Sequence, residues 1–430
     1  MKAKLSLLVA CCSILTVFAE EKTHIKLTPS QVESIFLKEN LQLIAEKMNI
    51  GIAEAEIIQA KLWPNPTLSL GNINVWQSSG HSDDGAVVVP PLWGSFGRNR
   101  QFSVELSQLI QTANKRGKLI ARERASREIA QQQFVCLLQG LKLELRKSIR
   151  EIVYLQQNQA VLEKECSTLQ LLVEAYKKLE ANGHISKVEL MRLRAQVLAV
   201  ENDVNENQTM LFDRYKELNV LLSGDPSVRI VLIEESGPLQ SPDSLSLSRL
   251  FQLASENRSD VKMGKLQIAF LEKSLAYEKA HRIPDITLSA SYDRAGGVWR
   301  DFVGFGVSFD LPLFHRNQGA IKAASIAREQ SIYLYQQQQN RVQHEIVQAL
   351  ENYSRMYRFY QKISQDASLL DLDSMLESYT RNLLQRHISM VEFIDFLETY
   401  KNNKQAVLNA KKNMYLQQEE LWYAVGTELE

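Results

Sequence analysis

Residues 183–189 read Gly-His-Ile-Ser-Lys-Val-Glu, and residues 386–392 read Arg-His-Ile-Ser-Met-Val-Glu, so a nearly identical segment recurs after 203 residues. In both copies the serine can cap the helix that follows, and the glutamate three residues later can reach back to the serine amide. Gly183 can end the preceding helix in a left-handed conformation. Because Arg386 replaces that glycine in the second copy, we expect the second turn to close differently.

The sequence outside these turns is duplicated as well. Residues 64–69 read Pro-Asn-Pro-Thr-Leu-Ser, and residues 284–289 read Pro-Asp-Ile-Thr-Leu-Ser. A fixed internal repeat is the strongest sequence indication of how a chain is organised. The pattern therefore predicts two tandem repeats, residues 20–235 and 236–430, each made of a helix, a β-hairpin, a long helix, a tip turn and a return helix.

Long stretches without helix breakers separate the hairpins and turns. Proline is absent between residues 92 and 225 and after residue 312, and both spans are rich in Leu, Ala, Glu, Gln, Lys and Arg. Such composition favours long helices. We expect helices at about 30–62, 118–182, 187–222, 246–282, 321–385 and 390–424. At 1.5 Å per residue each long helix is about 100 Å, the summed length of two short ones. The sequence predicts a mainly α fold, a rod of helices with a small β part.

The two β-hairpins are expected at about 66–110 and 285–314, with the tip turns at 183–186 and 386–389. In residues 303–311, Val, Phe, Val, Phe and Leu alternate with Gly, Gly, Ser and Asp, so one strand face is apolar and the other polar. Four strands cannot close a membrane barrel, but three copies would supply twelve. The aromatic residues that could lie at the lipid interfaces are Trp63, Trp76, Trp93, Tyr292 and Trp299. The alternative is a soluble, half-buried sheet with ordinary core aromatics.

The N-terminus has the features of an export signal. A basic Met-Lys-Ala-Lys start, an apolar run and a small-residue site ending at Ala19 predict a signal peptide over residues 1–19. Two alternatives are a membrane anchor and a lipoprotein site that lipidates Cys11. Cys136 and Cys166 lie in one long predicted helix, about 45 Å apart. They are expected to be buried and not to form a disulfide.

Composition excludes several classes of function. Fifty basic residues balance fifty acidic ones, which argues against a nucleic-acid partner. The seven histidines include no pair at the spacing of helical metal ligands, and no phosphate-binding loop or nucleophile elbow is present. No stretch after the leader is long and apolar enough for a transmembrane helix. We therefore expect no catalytic activity, no metal site and no cofactor.

Together these features resemble the TolC-type outer-membrane efflux channels. The string Pro-Leu-Phe-His-Arg-Asn-Gln-Gly at 312–319 most resembles the cobalt–zinc–cadmium resistance branch. The resemblance implies a homotrimer with a twelve-stranded β-barrel in outer-membrane lipid, continued by a long α-helical tunnel in the periplasm. It also implies a passive, gated exit duct for small molecules or metal ions. The alternative function is a periplasmic coiled-coil adaptor or scaffold.

The resemblance assigns roles to residues at the two turns. The tips are expected to dock onto a periplasmic adaptor protein and, through it, to reach an inner-membrane pump. The docking residues are Gly183, His184, Ile185, Ser186, Glu189, Arg386, His387, Ile388 and Ser389. Glu392 and Asp395, three apart on one helix face, are expected to form an acidic gate ring that favours cations. For Glu392 the capping box is a sufficient alternative explanation.

Overall fold

The computed structural model describes residues 24–71, 73, 101–225, 228–235, 239–295, 299–366 and 371–429. The expected signal peptide, Cys11, Trp76, Trp93 and the side chain of Trp299 lie outside this description. The chain divides into two compact units. The tip unit comprises Met1–Ala45, Cys136–Arg258 and Val342–Glu430, and the sheet unit comprises Glu46–Val135 and Ser259–Arg341. Each unit draws on both expected repeats, whose boundaries stay a prediction.

Helices dominate the described residues, as the sequence predicted. They are α1 (Pro29–Glu39), α2 (Leu41–Lys61), α3 (Lys115–Ala181), α4 (Lys187–Leu222), α5 (Leu247–Asn257), α6 (Ser259–Ala280), α7 (Gln318–Ser364), α8 (Leu372–Leu384) and α9 (Met390–Val425), with a 3-10 turn at Pro242–Ser244. The strands are β1 (His24–Leu27), β2 (Thr67–Gly71), β3 (Gln101–Ile110), β4 (Arg229–Leu232), β5 (Ile286–Ala295) and β6 (Trp299–Phe309). The order of helices, hairpins and turns in the described residues is the expected one.

The helix that leads each repeat is broken, contrary to expectation. α1 ends at Glu39, and the side chain of the next residue, Asn40, accepts a hydrogen bond from Leu43 N at 2.9 Å and so caps α2. Asn40 Nδ2 also donates to the carbonyl of Leu221, near the end of α4, at 2.7 Å. Arg258, between α5 and α6, donates to the carbonyl of Ala424 near the end of α9 at 3.1 Å. Both breaks thus bond to the last turn of a return helix, a long-range contact that periodicity does not reveal.

The second long helix is also interrupted, so the expected helix at 321–385 is α7 followed by α8. The chain after Ser364 carries aspartates, which favour helix starts over helix interiors. Asp373, in the first turn of α8, accepts hydrogen bonds from Lys164 Nζ at 2.8 Å, Lys404 Nζ at 2.5 Å and Tyr400 OH at 2.9 Å. Burial opposes ionisation, yet these donors hold the pKa of Asp373 well below its usual range. The first turn of α8 is therefore fixed to α3 and α9 by the ion pairs and the hydrogen bond of Asp373.

The tip unit is held together by a seam of buried residues at three- and four-residue spacing. Leucines and aromatics of α3, α4, α8 and α9 form one core cluster. A buried amide layer crosses this seam: Asn158 Nδ2 donates to Asn207 Oδ1 at 2.7 Å, and Gln405 Nε2 donates to Asn158 Oδ1 at 3.1 Å. Because an unpaired buried amide is costly, this layer favours one axial alignment of α3, α4 and α9.

Two smaller features complete the tip unit. β1 and β4 form a parallel pair, with Ile25 opposite Ile230, which ties the start of the described chain to the segment after α4. Cys136 and Cys166 have free thiols, as expected, but both side chains are partly exposed. Their expected full burial is therefore wrong, because each lies beside the buried stripe of α3 and not within it.

The sheet unit contains a four-stranded antiparallel sheet in the order β2-β3-β5-β6. Cross-strand partners such as Leu68 and Leu106, or Leu288 and Val307, place apolar side chains on one face. Ser289 stands opposite Gly306 on the other face. The alternation predicted from sequence is confirmed.

The apolar face of this sheet is largely uncovered. Phe305 is 87% exposed, Val307 66% and Leu70 64%. Within the described residues β2 and β6 each pair with only one strand, so the outer edge of each has unpaired backbone groups. Among the expected interface aromatics, Trp63 is exposed under the guanidinium of Arg116, 3.8 Å from its ring centroid. In the described ranges no helix is apolar over a stretch long enough to cross a membrane.

Gly426 and Gly140 are expected to respond oppositely to the same substitution. Gly426 ends α9 with φ +81°, and a Cβ there would lie 2.9 Å from Arg258 N. Gly426→Ala should destabilise the chain by at least about 1–2 kcal/mol, the cost of a left-handed alanine. Gly140 lies within α3 with open space around it, so Gly140→Ala should stabilise by about 0.5–1 kcal/mol. Thermal unfolding of both variants tests this, and a shift of the same sign in both would contradict it.

Candidate functional site at the paired tip turns

The first tip turn closes as the sequence predicted. α3 ends at Ala181, and Gly183 adopts φ +74°. Gly183 N donates to the carbonyl of Glu180 at 2.8 Å, and His184 N donates to the carbonyl of Leu179 at 2.9 Å. These bonds satisfy carbonyls that the helix end would otherwise leave unpaired. Glycine suits this position because it has no Cβ to clash in the left-handed region.

The second tip turn closes in the same way, so the expectation that it must differ is wrong. Arg386 itself adopts φ +60°. Arg386 N donates to the carbonyl of Leu383 at 3.0 Å, and His387 N donates to the carbonyl of Asn382 at 2.9 Å. These bonds match those of the first turn, residue for residue. A non-glycine residue in this conformation costs about 1–2 kcal/mol, so the surrounding structure must offset that cost.

The side chain of Arg386 provides one such contact. Its guanidinium Nη2 donates to the carbonyl of His184 at 3.0 Å, which joins the two tips of one chain. Ile185 and Ile388, one from each turn, are partly buried and pack against the same core cluster. Below them the rings of Tyr379 and Phe396 stack with centroids 4.0 Å apart. The two tips therefore form one surface, with an apolar base and exposed polar side chains at His184 and His387.

The helices that leave the tips are capped unequally. Ser389 Oγ accepts from Glu392 N at 3.2 Å, and the Glu392 carboxylate accepts from Ser389 N at 2.7 Å, which completes the expected capping box. At the first tip Ser186 Oγ accepts from Glu189 N at 3.3 Å. Ser186 N does not donate to the Glu189 carboxylate there, so only one of the two hydrogen bonds of the expected first capping box is present.

The two expected gate residues lie on the exposed side of the start of α9. Glu392 and Asp395 are both exposed, while Phe393, Phe396 and Leu397 form the buried side. Hydrogen bonds from Ser389 lower the pKa of Glu392, because they favour the ionised carboxylate. Glu392 is thus a capping residue and an exposed anion at once, and the two interpretations of this residue are compatible. The structure brings Glu392 and Asp395 to one face, one turn apart.

Sequence reasoning missed a second pair of equivalent turns, in the sheet unit. Asn114 and Asn317 follow the two hairpins and adopt φ +54° and +55°. Asn317 Nδ2 donates to the carbonyl of Glu278 at 2.9 Å, and Arg316 Nε donates to the carbonyl of Pro312 at 2.9 Å. Asparagine tolerates the left-handed region better than most residues. Two asparagines with the same 203-residue spacing as the tips were the signal that could have revealed these turns.

The described residues offer little for metal or redox chemistry. No group of three or more His, Cys, Asp or Glu side chains among them is placed to hold a metal ion. The remaining structural feature of functional interest is the exposed apolar sheet face in the sheet unit.

Two solved outer-membrane proteins have a fold similar to that of this chain. The outer membrane protein VceC of Vibrio cholerae matches with a TM-score of 0.70 and 17% identity, over 94% of this chain and 97% of that one. The CmeC outer membrane channel of Campylobacter jejuni matches with a TM-score of 0.75 and 15% identity, over 94% of this chain and 86% of that one. The chain therefore has the fold of the outer-membrane channels, and the predicted resemblance to the TolC type is confirmed.

One curated relative has a more specific name. The cobalt-zinc-cadmium resistance protein CzcC of Cupriavidus metallidurans is 23% identical over 312 residues, which cover 73% of this chain and 69% of that protein. No protein-family model matches the chain.

Arg386 should couple the two tips. Arg386→Gly removes the link to His184 and relieves its own backbone, whereas Arg386→Ala removes the link and keeps the left-handed cost. In both variants hydrogen exchange should accelerate at residues 179–186, in the other tip. At residues 383–388 exchange should accelerate only in the alanine variant. Hydrogen-exchange mass spectrometry of the full chain measures both segments, and unchanged exchange at 179–186 in both variants would refute the coupling.

Proposed function

We infer that this chain is the outer-membrane channel component of a tripartite efflux or secretion system, acting as a passive and gated exit duct. The observation that carries this inference is the sheet of the sheet unit. One of its faces is apolar and exposed, the other is lined mostly by Ser, Thr and Gly, and within the described residues both of its edges lack a partner strand. A water-soluble monomer rarely exposes an apolar face of this kind.

We propose that lipid covers the apolar face of this sheet and that further copies of the chain pair with its two edges. In hydrocarbon every backbone N–H and C=O group must be paired, so an open edge has to meet another strand. Three copies contribute twelve strands, an even number within the range of bacterial barrels. The apolar face then contacts the outer-membrane lipid and the polar face surrounds water, while the helices lie in the periplasm. A soluble adaptor or scaffold would leave the exposed apolar face without an explanation.

A charge on the apolar strand face should prevent insertion, whereas the same charge one residue further on should not. Val307 and Ser308 are neighbours on β6 that point to opposite faces. Val307→Arg should cost about 2–4 kcal/mol per subunit at mid-bilayer, and Ser308→Arg should be tolerated in water. The measurement is the yield of heat-resistant oligomer in outer-membrane extracts. Equal yields from the two variants, or a purified chain that is a soluble monomer, would exclude the channel.

We propose that the joined tips form the surface that docks the periplasmic adaptor, through which the channel meets an inner-membrane pump. The tip residues named above are exposed or half-buried, and Arg386 presents both turns as one surface. Ile185 and Ile388 provide an apolar centre, and the exposed His184 and His387 provide hydrogen-bonding groups around it. An apolar centre with a polar rim is the usual composition of a specific interface.

We propose that Glu392 and Asp395 form the acidic gate. Both carboxylates are exposed on the same side of α9, immediately after the tip. In a trimer they would supply six carboxylates within one helical turn of each other, which attract cations and repel anions. The lowered pKa of Glu392 keeps its charge over the physiological range.

Neutralising the gate acids should reduce cation selectivity without unfolding the tip. Glu392→Gln with Asp395→Asn preserves side-chain size, and glutamine can still complete the capping box. The ratio of cation to anion permeability, measured from the reversal potential in planar bilayers under a salt gradient, should fall. Glu398→Gln, an exposed neutralisation one turn further along α9, serves as the control. A reversal potential equal to that of the unmodified channel would reject the gate.

For the cargo, divalent metal cations are the class best supported. The curated relative is named for cobalt, zinc and cadmium resistance, and an acidic gate suits cations. Comparing the tolerance of a deletion strain for these ions with its tolerance for organic toxicants separates this class from other small molecules.

A further inference from the structure

A buried carboxylate lies in the seam of the tip unit, away from the tips. Glu165 in α3 is fully buried, with Leu162 before it at 1% exposure and Leu169 after it at 0%. Neither of its carboxylate oxygens has a hydrogen-bond partner among the described residues. A position that the helix pattern assigns to leucine is thus occupied by an ionisable group. Neither gating nor docking requires this residue.

The groups that face Glu165 from the neighbouring helices already have other partners. Lys401 of α9 pairs with Asp203 of α4, with Nζ and Oδ2 2.9 Å apart. Tyr400 of α9 donates its hydroxyl to Asp373 of α8. The cation that attracts Glu165, Lys401, is therefore already paired with Asp203, whose own charge opposes ionisation of Glu165.

A carboxylate in this position is costly to ionise. An isolated charge loses its hydration on burial, and no hydrogen bond among the described residues replaces that hydration at Glu165. Burial raises the pKa of Glu165 to about 7, since the attraction of Lys401 only partly compensates and Asp203 adds repulsion. Three of its neighbours do not titrate in this range, because burial raises the pKa of Tyr400 and of the Cys166 thiol, and the pKa of Asp373 is held low.

We propose that Glu165 is a proton-sensing residue of the helix seam. In its neutral form it packs among the leucines and holds α3, α4 and α9 together. In its ionised form it draws water or a counter-ion into the layer and loosens that contact. The seam around Glu165 is then tighter in acid than in alkali, so the packing of the tip unit responds to the pH of its surroundings.

The direction and size of the effect follow from proton linkage. The pKa of Glu165 is higher in the folded chain than in an unfolded one, where it is about 4.3. The stabilisation is therefore complete below the unfolded value and declines as pH rises toward the folded value of about 7. Between pH 6 and pH 8 the equilibrium constant for local opening should rise about tenfold.

Hydrogen-exchange mass spectrometry at pH 6 and pH 8, corrected for intrinsic exchange rates, tests this on the full chain in detergent. In the unmodified protein, peptides covering 158–172 and 397–404 should lose about tenfold protection at pH 8. In Glu165→Gln the loss should disappear. Glu163→Gln, an exposed carboxylate two residues earlier on the same helix, should behave like the unmodified protein.

A second variant, Glu165→Leu, keeps the test informative in case Glu165→Gln does not fold. Glu165→Leu restores the apolar pattern, and it should make the seam more protected than the unmodified one at pH 8 and independent of pH. Equal protection at both pH values in the unmodified chain would overturn the proposal, as would a pH response that persists in either variant. The experiment needs only the folded chain, so its failure would not bear on the channel function.

Discussion

The central feature of the described structure is a four-stranded sheet whose edges and apolar face need further partners. Its four strands leave two edges unpaired and one apolar face uncovered in the described residues. Pairing an edge requires another strand, and covering the face requires lipid or protein. The alternation of large apolar and small polar residues on β5 and β6 lets one sheet face lipid on one side and water on the other. A trimer in the outer membrane, as proposed above, would meet that requirement.

The two tip turns have the same backbone conformation although they are formed by different residues. Gly183 and Arg386 adopt the same left-handed conformation and make equivalent hydrogen bonds, although only glycine does so at low cost. The arginine side chain then makes a contact that glycine cannot, to the carbonyl of His184. The two turns therefore have different roles: the first closes a helix end, and the second also joins the tips.

Polar groups in the helix seam have two different physical effects. The amide layer of Asn158, Asn207 and Gln405 is mutually hydrogen-bonded, so it favours one alignment of the helices regardless of pH. Glu165 lies seven residues along α3 from Asn158 and has no such partner among the residues that the structure describes. The cost of burying it depends on its protonation state. A satisfied polar layer thus gives specificity, whereas an unsatisfied one makes packing sensitive to its environment.

The sequence by itself determined the helices, the hairpins with their two faces, the position of both tips and the helix start at Lys187, because these depend on local periodicity, breakers and caps. The placing of Glu392 and Asp395 on one helix face was equally local. Only the tertiary structure decided the breaks at Asn40 and Arg258, the left-handed Arg386 and, within the described ranges, the lack of a hydrogen-bond partner for Glu165. The two breaks and the conformation of Arg386 rest on contacts with residues remote in sequence, namely Leu221, Ala424 and His184. The local sequence pattern does not show which group, remote in sequence, will offset the free-energy cost of a broken helix or a left-handed residue.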